Sequence, residues 1–144
     1  MLHAFITLYR EEIIRCCREK VAARSVLPAS NPDTINDGVP VFLDQLVDVL
    51  RSNGRTSTRK IDLSAGQHGL DFFVQGLTVS QVIHGYGDIC QSITELAMKT
   101  NTPFSTEDFQ TLYKCLDDAI AGAVTIYTNR SERAFCRTGT EASW

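Results

Sequence analysis

Few residues in this chain carry side chains suited to chemistry, and most of them fall on one stretch. Gly76 to Thr100 reads GLTVSQVIHGYGDICQSITELAMKT. His84 and Asp88 stand one helical turn apart, where an imidazole and a carboxylate can share a hydrogen bond that raises the histidine pKa. Gln81, Gln91 and Glu95 extend this polar row at about 100° per residue, opposite an apolar stripe from Val79 to Ala97. Gly85 and Gly87 flank the row. Each costs about 0.5–1 kcal/mol relative to alanine inside a helix. Keeping two of them points to close approach of another backbone. His84, Asp88 and Tyr86 are therefore expected at a functional contact, the bland alternative being a hydrated face. His84 would bond Asp88 or, from the last helix, Asp117 or Asp118. Its charge would then respond near neutral pH and bias packing between two states.

The other reactive groups point to less. His3 belongs to the surface. His68, in Gly66-Gln67-His68-Gly69, reads first as a polar residue inside a helix, satisfied by a backbone or carboxylate partner. A haem pocket on helices needs a histidine in an apolar cavity. His68 and His84 are the candidates, yet each is flanked by glycine and polar residues, so haem is the alternative and no cofactor is expected. His84 and Asp88 give a metal two ligands at most, and neither HExxH nor CxxC occurs, so no metal is expected. Cys90 and Cys115 project from apolar stripes, where a thiolate is disfavoured. Phosphotransfer at His84 would need a basic neighbour on its face, and none is there. No glycine-rich loop leads from a strand into a helix. No catalytic residue is assigned, and an enzyme is not expected.

These groups are positioned by helices. The chain has 144 residues, 43% of them hydrophobic, enough for one domain with its own core. A net charge of −3 argues against a nucleic-acid partner. Five cysteines in an odd, irregular set point to reduced thiols and a cytoplasmic location. No apolar run is long enough to cross a membrane, and the N-terminus mixes acids and bases in place of a leader. Apolar spacing of three and four predicts a first helix from Leu2 to about Ser25. Turn residues follow from Leu27 to Gly38. A second helix starts near Val39, with Pro40 in its first turn, and Asn53-Gly54 stops it. The basic cluster Arg51, Arg55, Arg59 and Lys60 reads as a solvated loop. A third helix runs from about Lys60 to Gln75, and Gly76 supplies a left-handed turn into the fourth. Thr78 or Ser80 caps that fourth helix, which ends near Asn101. Ser105 caps the last, whose pattern loosens beyond Asn129. Its small-residue centre around Gly122 allows close helix contact. Period-2 alternation is absent. The expected fold is all-α, about five helices in a bundle or globin-like packing. Residues 1–130 form the domain, and 131–144 are a tail or the start of a linker.

Three segments carry a family resemblance. FLDQL (Phe42 to Leu46), QHGLDFFVQGLTVSQVIHGYGDICQSITELA (Gln67 to Ala97) and FQTLYKCLDDAIAGAVT (Phe109 to Thr125) resemble the N-terminal input domain of soluble bacterial sensor histidine kinases. That domain is itself similar to the N-terminal domains of RsbR-type stress-response co-antagonists. The resemblance covers about residues 1–130. It implies a non-catalytic helical sensory module, often dimeric, that controls a histidine kinase catalytic region or another signalling protein. Some relatives share a globin-like fold without haem. The sequence carries neither a phosphoacceptor helix nor an ATP-binding domain. It is thus expected to be an excised or truncated input domain, or a stand-alone relative acting through a partner, and no ligand role carries over to a particular residue.

Overall fold

The N-terminal helical pattern bends once, at Tyr9. In the computed structural model, residues 1–24, 38–52, 59–74 and 76–139 are described, with 60, 62, 72 and 134–139 described by their backbone alone. Helix α1 (Leu2–Leu8) and helix α2 (Arg10–Arg24) meet at Tyr9, whose φ of −103° and ψ of 20° depart from helical values. Where one helix was expected there are two. The physical reason lies in what each half buries. Leu2, Phe5 and Ile6 of α1 face helix α3 (Val39–Arg51), whereas Ile13, Ile14, Cys17 and Val21 of α2 turn toward helix α5 (Val79–Lys99). A straight helix would drift off one of these surfaces. The Phe5 ring fixes the corner, 4.8 Å from Tyr9 and 5.0 Å from Phe104, centroid to centroid.

Gly38 is the N-cap of α3, and Pro40 sits in its first turn, where its missing amide has no helical partner. Phe42, Leu43, Leu46, Val49 and Leu50 line its buried face. The Asn53-Gly54 stop, the Arg55 end of the basic loop and the 27–37 connection lie outside the described residues. Helix α4 (Arg59–Val74) is followed by Gly76 at φ +78°, the left-handed conformation expected of it. Thr78 then opens α5 with a reciprocal cap. Its hydroxyl accepts from the Gln81 amide at 3.1 Å, and the Gln81 side chain accepts from the Thr78 amide at 2.8 Å. Helix α5 ends as expected, with Asn101 at φ 53° and the Thr102 amide donating to the Ala97 carbonyl at 2.9 Å.

Helix α6 (Thr106–Gly139) has 34 residues and is about 50 Å long. Ser105 caps it, accepting from the Asp108 amide at 3.0 Å. The Asp108 carboxylate turns away from its own helix and accepts from the Leu2 amide, one of the unpaired donors at the start of α1. The loosened pattern beyond Asn129 does not end the helix, but packing does stop near there: Thr128 to Arg133 are all exposed. The fold is all-α, with six helices and no strand among the described residues.

Helices α4 and α6 run side by side in the same direction. Gly66 lies against Ile126, Gly69 against Ala123, and Phe73 edge-on to Tyr127 at 5.6 Å. Gly122 is buried at this contact. The expectation for Gly87 is overturned. A methyl there would meet nothing within 4 Å, so no backbone approaches it and its propensity cost is uncompensated. Gly87→Ala is expected to stabilise the protein by about 0.5–1 kcal/mol in urea unfolding.

Candidate functional site

The polar residues of α5 do not form one exposed row. The helix is buried on a wider arc than its apolar stripe, because α2 and α6 cover it from different sides. Asp88 falls inside this arc and is 2% exposed. Such a carboxylate must be paired, and its partner is Arg24 in the last turn of α2. Arg24 Nη1 donates to Oδ1 at 2.9 Å and Nη2 to Oδ2 at 2.5 Å, a two-pronged contact that matches guanidinium to carboxylate. The bond to Asp88 raises the pKa of Arg24.

Two further contacts extend the seam between α2 and α5. Lys20 Nζ donates to Glu95 at 2.8 Å, which raises the lysine pKa. The Cys17 thiol donates to the Ser92 hydroxyl at 3.6 Å. Cys17, Lys20 and Arg24 thus lie on one face of α2, opposite Asp88, Ser92 and Glu95 on α5. Reading the sequence alone misses Arg24, Lys20, Cys17 and Ser92. For Lys20 and Arg24 the signal is a basic pair that matches the acidic pair Asp88 and Glu95 at helical spacing, visible only once α2 is known to face α5.

The expected pair of His84 with Asp88 is therefore corrected: both carboxylate oxygens go to Arg24, and His84 is exposed and bonds none of Asp88, Asp117 or Asp118. Helical spacing put His84 and Asp88 within reach, but the α2 guanidinium holds the carboxylate on the buried side. Tyr86 is a core residue, buried and edge-on to Phe42 at 5.9 Å, and burial pushes its phenol pKa upward. Gly85 is half-buried, Asp117 exposed and Asp118 half-buried. His68 is half-buried, with Nδ1 2.9 Å from the Ser64 carbonyl oxygen. Its ring lies against Gly38, where an added methyl would stand 3.1 Å from Cδ2 and Nε2. That contact ties α4 to the start of α3.

The buried thiols hold their protons. Burial pushes Cys17 up to about 11 despite the Ser92 bond, and pushes Cys115 up to about 11. Cys90 is raised by the same cause, offset in part by a bond with Tyr113. At pH 8, iodoacetamide is expected to label half-buried Cys16 and to spare Cys17 and Cys115 until the protein unfolds. The linkage has a definite sign. Folding raises these thiols, so their contribution is whole below the ordinary value of 9.0 and is lost as pH climbs through about 11. Stability should fall across that window, by about 2–3 kcal/mol for a deeply buried thiol shifted this far.

Two surface grooves are lined by described residues. One of about 250 Å³ lies between α1 and α3, where Arg10 reaches Asp44 at 3.2 Å. The other, of about 480 Å³, runs between α4 and α6. Neither is lined by His68 or His84. No cluster of three metal-ligating side chains occurs among the described residues.

The fold and seam define an all-α helical bundle braced by a buried ion pair. No helix among the described residues is long and apolar enough to cross a membrane. Compared with family models, curated proteins and solved structures, the chain finds no match.

Proposed function

We propose that this chain is a non-catalytic, dimerising signal-input module that acts in the cytosol on a histidine kinase region or another signalling protein. One observation carries the proposal. Helix α6 continues past Tyr127 to Gly139, and Thr128 to Arg133 are all exposed on their own bundle. At Tyr127 the helix is gripped. The Tyr127 hydroxyl donates to the Leu77 carbonyl at 2.5 Å, and Phe73 packs on its ring. Leu77 belongs to the turn that joins α4 to α5, so a shift of either helix is passed to the projecting part of α6. The Arg24–Asp88 pair supports the same reading, because it fixes α2 on α5 in one register and gives the bundle a discrete resting arrangement. The resemblance to kinase input domains agrees in size and helical character.

Light scattering across concentration tests the proposal. A dimer forming in the micromolar range is expected, and a strict monomer at high micromolar concentration would contradict it. An absorbance scan with added hemin separates the competing sensor reading. No Soret band is expected, and a sharp band lost in a His68 or His84 variant would favour haem instead.

A further inference from the structure

Among the described residues, none that lines the 480 Å³ groove between α4 and α6 is charged, in a chain of which 22% is charged. Gly66 and Gly122 are buried along it, Leu63 and Ile126 are exposed at 62% and 36%, and Gln67 and Thr125 are its polar members. Open apolar walls over glycine backbone suit a helix laid lengthwise. Two charged residues of α6 flank the described lining. Asp118 lies four residues before Gly122, and Arg133 lies seven after Ile126, so helical spacing puts all four on one face of α6. The midpoint between Asp118 and Arg133 falls between Thr125 and Ile126, inside the groove.

We propose that this groove receives α6 of a second copy of the chain, running antiparallel, so that Asp118 of each copy meets the partner subunit's Arg133. The inference deepens the dimer proposed above and rests on it. Charge complementarity selects the direction. A parallel pair would set Arg133 against Arg133 and Asp118 against Asp118, and like charges at an interface oppose association. An antiparallel pair brings opposite charges together twice by symmetry, as a two-fold interface requires. The projecting part of α6 points to the same occupant. Thr128 to Arg133 are all exposed on their own bundle, and a short helical stretch gains little stability without packing. The antiparallel copy gives each projection the flank of the partner's α4 and α6 to lie against.

Sedimentation equilibrium on the whole chain tests this with four variants. Asp118→Lys and Arg133→Glu should each weaken the dimer about tenfold, and the exchanged double variant should return it near the wild-type value. Loss of a contact within one copy would not be rescued that way. Leu63→Glu, at an exposed position, should abolish the dimer with the circular dichroism spectrum unchanged. A wild-type dimer indifferent to the single changes, or not restored by the exchange, would overturn the groove while leaving the dimer itself intact. A wild-type chain that stays monomeric at high micromolar concentration would leave the groove to another protein's helix and overturn both.

Discussion

Gly69→Ala is expected to destabilise the protein by about 3 kcal/mol, near or beyond the usual ceiling for overpacking. The methyl would overlap the Ala123 carbonyl oxygen and lie 2.9 Å from its carbon. Both atoms are backbone of α6, so no rotamer change relieves the overlap. Helices α4 and α6 would have to separate along their contact, opening Phe73 from Tyr127 and loosening the Tyr127 bond to Leu77. Urea unfolding should show a lowered midpoint with an unchanged slope. Gly87→Ala, the same change in the next helix, carries the opposite sign. The pair separates close packing from intrinsic helix propensity within one protein, since one glycine faces a carbonyl and the other faces open space.

Arg24→Met should cost about 3 kcal/mol. The methionine keeps much of the aliphatic packing and removes the guanidinium, which leaves Asp88 buried and unpaired. The Arg24 side chain is 36% exposed, so water can partly replace it, and this holds the loss toward the lower end of the range for broken buried pairs. Arg24→Met combined with Asp88→Leu should recover most of the stability, because two apolar groups leave no charge to solvate. A double variant as unstable as Arg24→Met alone would mean that lost packing, not the stranded carboxylate, sets the cost. Lys20→Met is a useful contrast. Glu95 is largely exposed at 58%, so loss of that pair should change stability by less than about 1 kcal/mol.

Much of the fold was legible because local chemistry decides it. Thr78, Gly76, Asn101 and Ser105 mark helix ends through caps and left-handed turns that depend on a few neighbouring residues. The apolar stripes of α3, α5 and α6 are buried much as their spacing predicts. The bend at Tyr9 was not legible, since it answers to two different neighbours of one continuous pattern. The site was legible only in part, for the same reason. Asp88 stood out as a polar residue of interest, but helical spacing gives its angle around α5 and not which helix covers that angle. A single-helix projection assigned it to His84 and to the wrong side. Gly85 and Gly87 drew attention as costly residues, whereas the glycines in close contact, Gly66 and Gly69, looked like ordinary flanks of His68. Their role depends on a small-residue run more than fifty positions away, at Ala119 to Ala123.

The central claim is that two copies associate and that the projecting part of α6 is ordered by that association. Residue-resolved amide hydrogen exchange of the whole chain, at concentrations well below and well above the dimer constant, tests it most directly. The account predicts that amides from 128 to 139 exchange freely in the dilute protein and gain protection in the concentrated one, with smaller gains from Ala121 to Ile126 and around Leu63. Protection in α5 near Asp88 should stay the same at both concentrations. Identical exchange of α6 at the two concentrations would contradict the account.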